Sequence, residues 1–329
     1  MVGTTTQNAD GKCPVCGGHG YFRRDVPWSH RDFGRAIPCV CTLERIAEAE
    51  RTNAARRKSK QVAQRASTRK ADRMPAFKRS PEELSEFSYS RLTTFEQCPR
   101  RFMLRYLAGE NTDPAGAREP AIGSAVHSTL QAFMREDPDG RTLAVLESRF
   151  DEYWDRYWRK LRPAKGEKEQ WRLTVWQSLS RFYDAGNCGG RPRDLEKYFS
   201  FQLDESITIM GSADRIDNVG ERDYQLIDYK ALEPPFTERE ALRDLQTVLY
   251  YFGGKSLYEG HPPSKISYLF VHHGTAVSVN PTPGEMEEGL DGVRALIQQI
   301  HSHKEFAPQR NQFCRNCVEY LKCAATRPE

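Results

Sequence analysis

The sequence predicts an α/β protein in which a mixed central sheet is flanked by helices, with a helical lobe and a small metal-stapled module at the N-terminus. Three observations carry that expectation. Short β-branched and aromatic runs alternate with helical patterns in the second half of the chain. Longer stretches with aromatic residues at helical spacing precede them. Cysteines and glycines crowd the first 41 positions. A chain of 329 residues can hold one large domain and a small accessory one.

Taken in order, residues 1–41 show no sustained periodicity, as expected of a module that lacks its own core. From Leu43 to Arg73 the composition turns to Ala, Arg, Lys, Glu and Gln, with too few apolar residues for a packed face. Residues 42–86 therefore read as a basic linker, helical or disordered. Between Thr42 and Ser80 twelve Lys/Arg stand against four Asp/Glu, so this segment more than accounts for the net charge of +4. Such a stretch could track a phosphate backbone, and a solvated helical linker explains it equally well.

The main domain is expected over 87–329. The run from Ser88 to Leu107 opens with hydroxyl residues suited to N-capping and should break into two helical pieces at Pro99. Helices are expected over Gly123–Met134, Thr142–Trp158 and Trp171–Tyr183. Three strands follow, Tyr198–Leu203, Ile207–Ala213 and Tyr224–Tyr229. A helix over Glu238–Phe252, a hairpin of Lys265–His272 and Ala276–Asn280 around Gly274, and an amphipathic helix over Gly284–His303 complete the chain.

Composition excludes several classes. No apolar run approaches the roughly 18 residues of a spanning helix, and no signal-peptide order opens the chain. With 29% charged residues the expectation is a soluble, cytoplasmic protein. Nine cysteines in that setting argue for metal or cluster ligation rather than disulfides.

The chemistry concentrates in Gly211-Ser-Ala-Asp214-Arg-Ile-Asp217 and Leu226-Ile-Asp228-Tyr-Lys230. On neighbouring strands Asp214 and Asp228 can converge at one end of the sheet, while Lys230, two residues on, shares a face with Asp228. Two carboxylates of this kind are hard oxygen ligands suited to Mg²⁺ or Mn²⁺, which can polarise a scissile phosphate. The amine could orient a water or stabilise developing charge. An Asp-x-Lys pair on a strand is often only a surface ion pair, but Asp228 ends an apolar strand, where an unemployed carboxylate is costly.

These residues resemble the signature of the PD-(D/E)XK nucleases, and their surroundings are similar to the RecB-like exonuclease branch. Tyr89-Ser-Arg-Leu-Thr-Thr-Phe-Glu-Gln-Cys98-Pro-Arg-Arg-Phe resembles that branch's opening motif, and Gly123-Ser-Ala-Val-His127 its helix with a metal-binding histidine. Gln246 and Tyr250 resemble its Gln-x-x-x-Tyr motif. The resemblance implies a restriction-endonuclease-like core acting on DNA, single-stranded or at ends, in recombination, repair or end processing. It implies Mg²⁺ or Mn²⁺ held by His127, Asp214, Asp228 and the Tyr229 carbonyl, with Lys230 catalytic and Gln246 and Tyr250 in the same site. Glu196 fits an acidic position of the family and equally an exposed strand end. The compact form is compatible with a virus-encoded enzyme. The alternative is a catalytically idle DNA-end binder or scaffold that keeps the fold, against which the intact His127, Asp214, Asp228 and Lys230 weigh.

Cys314-x-x-Cys317-x5-Cys323, with Cys98 far upstream, allows zinc or an iron–sulfur cluster by spacing alone. The arrangement resembles that of AddB-type and CRISPR-associated exonucleases, which implies a [4Fe–4S] cluster with a structural role. At the other end, Cys13-Pro-Val-Cys16-Gly-Gly-His-Gly20 followed by Cys39-Val-Cys41 resembles half of a DnaJ-type zinc module, although its second pair is Cys-x-Cys. Zinc is the expected ion there, and a protein partner is one candidate ligand of the module. Cys188 stands alone.

Two stretches are decoys. Gly253-Gly-Lys-Ser256 lacks the upstream glycine of a phosphate loop, because position 249 is Leu, so no nucleoside triphosphate site is expected. His272 and His273 are adjacent on an expected strand end, where neighbours face opposite ways, so a surface placement is expected.

Overall fold

The computed structural model describes residues 77–110, 118–159 and 166–311 together with Cys314, Cys317, Tyr320 and Cys323. In the N-terminal part it describes one antiparallel pair, β1 (Tyr21–Arg23) with β2 (Ala36–Pro38), Phe22 opposite Ile37. The expected zinc ligands Cys13, Cys16, Cys39 and Cys41 and most of the basic linker lie outside the described residues. Chain contacts divide the molecule into Met1–Met74 and Pro75–Glu329.

The second unit is built on a six-stranded mixed sheet. Its strands are β3 (Glu86–Phe87), β4 (Pro192–Gln202), β5 (Thr208–Asn218), β6 (Tyr224–Lys230), β7 (Lys265–Phe270) and β8 (Thr275–Val279). β4 lies along one edge of β5 in antiparallel register from Gln202↔Thr208 to Pro192↔Asp217. The other edge of β5 is shared, with β3 parallel to its start and β6 antiparallel to its end. β7 runs parallel to β6, and β8 folds back on β7 through a turn at Gly274, whose φ of 64° suits glycine.

Eight described helices flank this sheet: α1 (Tyr89–Gln97), α2 (Pro99–Phe102), α3 (Arg118–Met134), α4 (Leu143–Trp158), α5 (Glu167–Asp184), α6 (Glu238–Leu242), α7 (Leu245–Leu257) and α8 (Pro283–Ser302). Their ends obey local chemistry. Ser88 caps α1 and Thr142 caps α4, while Thr237–Glu240 and Thr282–Glu285 form reciprocal capping boxes on α6 and α8. The break at Pro99 appears as expected, and the chain continues as a single π turn over Met103–Leu107.

The two faces of the sheet bury separate cores. Phe199, Ile209, Leu226, Ile266, Tyr268 and Phe270 pack with residues of α1, α7 and α8. Ile227, Tyr229, Leu269 and Val271 pack instead against the helical lobe, where Val126, Leu130, Phe150, Trp154, Leu179 and Phe182 are buried. The alternation along β6 is therefore strict, Leu226 on one side and Ile227 on the other. Asp228 and Lys230 fall on the α7 side by that same alternation.

Candidate active site

Four elements deliver the chemistry. α3 carries His127, β5 carries Asp214, β6 carries Asp228 and Lys230, and α7 carries Gln246 and Tyr250. The start of α7 is set by Asp244, which adopts an extended backbone and accepts from the Gln246 amide at 2.7 Å. Asp competes well for cap positions, and this one places Gln246 in the first turn, aimed at β6. Tyr250 follows one turn later.

Asp228 sits at the centre of a dense set of contacts. Its Oδ1 accepts from Gln246 Nε2 at 2.7 Å and from the Tyr250 hydroxyl at 2.6 Å. Lys230 Nζ lies 2.9 Å from its Oδ2 and donates to Gln246 Oε1 at 2.6 Å. The Tyr250 hydroxyl also reaches the Ser212 carbonyl at 3.3 Å. Burial by itself would raise the Asp228 pKa, but the Lys230 charge and the Tyr250 and Lys230 hydrogen bonds outweigh it and hold the carboxyl below its usual range. Burial likewise works against the Lys230 charge, yet Asp228 keeps the ammonium above its ordinary value. Lys230 is therefore a cation, and the rings of Tyr268 and Tyr89, 5.4 and 5.8 Å away, wall it in.

A second group gathers on the lobe side. His127 Nδ1 stands 3.2 Å from Asp214 Oδ1, and Asp214 Oδ2 accepts from the Tyr229 amide at 2.7 Å. Glu196 of β4 joins them, because the donor atoms of His127, Glu196 and Asp214 all lie within 4.8 Å of one another. In the β4–β5 register Glu196 falls between Leu195↔Arg215 and Lys197↔Ala213, opposite Asp214, and its φ of 49° lies in the left-handed region. A non-glycine residue held there costs about 1–3 kcal/mol, and such outliers cluster where a side chain must be aimed. Burial would depress the His127 pKa, but Asp214, aided by Asp228 and Glu196, pushes it up to about 9. Burial and the Asp214 charge raise the Glu196 pKa.

Three acidic side chains and an imidazole crowd together, and the acids favour the protonated imidazole. Their nitrogen and oxygen donors fit a small, hard divalent ion. Asp228 stands beside the three clustered residues; two hydrogen bonds occupy its Oδ1, while Oδ2, 2.9 Å from Lys230 Nζ, keeps a lone pair for an ion.

The six side chains that the sequence points to thus meet at one end of the sheet. Glu196 was legible as an acidic position of the family and equally as an exposed strand end, Tyr89 as the first residue of the opening motif, whereas Tyr268, which with Tyr89 walls in Lys230, carried no pattern that would mark it. Elsewhere the four late-set cysteines also converge. Cys98, Cys314, Cys317 and Cys323 line one cavity, and the Gln309 and Asn311 amides donate to the sulfurs of Cys98 and Cys314 at 3.5 and 3.2 Å. His272 instead bonds Ser178 through Nδ1 at 2.9 Å.

A family model of the PD-(D/E)XK nuclease superfamily matches residues 86–320, a span that contains His127, Glu196, Asp214, Asp228, Lys230, Gln246 and Tyr250 and ends three residues before Cys323. The chain belongs to this superfamily. No curated protein matches it. Among solved structures, this PD-(D/E)XK chain is similar to one titled "Crystal structure of SSO0001", at 13% identity and a TM-score of 0.30. The similarity covers 73% of this chain and 96% of that one. Among the described residues no helix is long and apolar enough to cross a membrane.

Proposed function

We propose that this PD-(D/E)XK protein is a divalent-metal-dependent DNA exonuclease of the RecB-like branch, acting on single strands or DNA ends in recombination, repair or end processing. The observation that carries the reading is the convergence of His127, Glu196 and Asp214 beside the Asp228–Lys230 pair. His127, Asp214, Asp228 and the Tyr229 carbonyl would hold Mg²⁺ or Mn²⁺, with Glu196 as a further ligand. Bound there, the ion supplies Lewis acidity to the phosphoryl oxygens.

The chain's own groups do the rest. Lys230, kept as an ammonium, offers positive charge and N–H donors to the phosphoryl group as negative charge builds on it, rather than acting as a base. Gln246 grips both Lys230 and Asp228, and the Tyr250 hydroxyl donates to the same Asp228 oxygen, so the reacting geometry is set before substrate arrives. A buried ion pair stabilises little compared with apolar residues in its place, which favours a functional reason for keeping Asp228 and Lys230.

The converging Cys98, Cys314, Cys317 and Cys323 suit a [4Fe–4S] cluster, since four thiolates with amide N–H donors to sulfur are its usual surroundings. Cys13, Cys16, Cys39 and Cys41 would take Zn²⁺ in a module that meets DNA or a protein partner.

The test uses end-labelled single-stranded and duplex DNA with Mg²⁺ or Mn²⁺, the protein being prepared without oxygen. Lys230→Ala should lower cleavage about 10²- to 10³-fold, the range of losing one transition-state donor, with the melting temperature recorded alongside. A folded Lys230→Ala protein that still cuts at the wild-type rate would refute the assignment.

A further inference from the structure

Beside the His127, Glu196 and Asp214 cluster lies a groove of about 390 Å³ whose arginines the cleavage chemistry does not use. One wall is the segment that ends α3, from Met134 to Asp137; the other is the start of β4, through Leu195, the neighbour of Glu196. The groove thus reaches the residue next to a proposed metal ligand.

Its walls are tied together from behind. Arg141, 6% exposed, donates to the carbonyls of Met134 and Glu136 on one wall and of Cys188 and Gly190 leading into the other. Arg215 is equally buried; it pairs with Asp217 and donates to the carbonyls of Asn187 and Gly189. Two buried guanidiniums are thus committed to fixing the spacing of the walls, which is how a preformed binding groove is built.

The charges that face the groove do not cancel. Each lining carboxylate already has a partner: Glu136 pairs with Arg149, Asp137 with Arg191, and Asp194 with Lys197 and the Tyr258 hydroxyl. Arg135 and Arg193 make no ion pair with any described residue. The Arg193 guanidinium lies over the Tyr258 ring, 3.7 Å from its centroid, and its charge is felt by Asp194. Arg135 stands two helical turns beyond His127, about 12 Å along the α3 axis, and its charge is felt by Glu196. Arg135 and Arg193 thus both line the groove, Arg135 within electrostatic reach of Glu196.

We propose that this groove binds the sugar–phosphate backbone of the DNA strand beyond the scissile bond, with Arg135 and Arg193 each holding a phosphate. The proposal rests on the nuclease reading above and adds the track of the substrate. Guanidinium forks match phosphate oxygens in pairs, and an arginine stacked on tyrosine is a usual element of single-strand grooves.

The experiment compares the wild-type protein with Arg135→Ala/Arg193→Ala, and with Arg156→Ala/Arg172→Ala, which removes the same charge from α4 and α5. Binding of a fluorescent single-stranded oligonucleotide is followed by anisotropy in EDTA over a range of salt. Cleavage of the oligonucleotide and of bis(p-nitrophenyl) phosphate, which has no backbone beyond the scissile ester, is followed in Mg²⁺ or Mn²⁺. The groove variant should bind about tenfold more weakly, its log–log salt slope should fall by about 1.4, and KM should rise while kcat and hydrolysis of the small ester hold. Wild-type binding and salt slope in the groove variant, an equal loss in the α4/α5 control, or a wild-type protein that does not bind DNA would each overturn the proposal. Failure of the nuclease reading looks different, because wild-type protein would then bind DNA but hydrolyse neither substrate, and the binding arm would still decide the groove.

Discussion

His127 shows what a single side chain reports about its site. Burial opposes its charge, yet three neighbouring acids hold its proton up to about pH 9. Because its folded pKa is raised above the usual value, the stabilisation it brings without metal is fully present below about 6.5 and is lost as pH rises through about 9. A divalent ion must take the place of that proton. Mg²⁺ affinity should therefore climb from about pH 7 to 9, by at most about tenfold per unit for one released proton, and level off above it. Isothermal titration in two buffers of different ionisation heat would count the proton. His127→Gln should flatten the curve, and a wild-type affinity that is constant across the window would remove the imidazole from the ligand set.

At the scale of elements, the close approach of α7 to the sheet governs how Gln246 and Tyr250 reach β6. Gly253 and Gly211 both abut the Phe199 ring, and a Cβ at these positions would fall 2.4 and 2.5 Å from its atoms. Gly254 is similarly pressed against the Tyr224 hydroxyl, 2.7 Å from where a Cβ would stand. The Gly-Gly-Lys-Ser run is thus the tight contact surface of a helix, which accounts for its glycines without a nucleotide. Gly253→Ala should cost about 1–3 kcal/mol by overpacking, outweighing the roughly 1 kcal/mol it gains in helix propensity. Chemical denaturation measures the balance, and Phe199→Leu should recover part of the loss in the double variant. A Gly253→Ala protein as stable as wild type would show that α7 does not need this approach.

The same scale explains what the sequence could and could not tell. Asp228 and Lys230 were readable because strict alternation on β6 is anchored by Leu226 and Ile227. β4 was expected only from Tyr198, but it begins at Pro192, since its first half is charged and gains its order from pairing with β5 rather than from apolar alternation. β5 runs on past Ala213 to Asn218 because Arg215 and Asp217 neutralise each other inside, an ion pair that hides a buried strand behind polar letters. The helix expected over Glu238–Phe252 is two, α6 and α7, because Asp244 caps the second. Glu196 was left open between an acidic family position and an exposed strand end, because the left-handed backbone that redirects it is announced by no residue type in a glutamate.

Over the whole second unit, the chain's C-terminal tail is fastened to the segment that opens the domain. His301 Nε2 meets the Leu84 carbonyl at 2.9 Å, His303 packs edge-on to Phe95, and Phe306 packs on Phe77. Asn311 Nδ2 donates to the Gln97 carbonyl at 2.6 Å, one residue from Cys98, and the Gln309 amide reaches Cys98 Sγ across 211 residues of sequence. A bond closing a loop of that size removes chain entropy worth about 5 kcal/mol from the unfolded state, so a group bridging all four thiolates would act chiefly as a clasp. α1, which the clasp holds, also carries Tyr89 against Lys230, but His127, Glu196 and Asp214 reside on elements that the tail does not touch through these contacts. Cys98→Ser should accordingly abolish visible absorption at roughly 400 nm in anaerobically prepared protein, lower the melting temperature and expose the tail to protease, while Mg²⁺ affinity changes less than about threefold. Wild-type protein that binds zinc in place of iron would keep the clasp and forfeit the absorption. A Cys98→Ser variant that melts with the wild type would deny the clasp altogether.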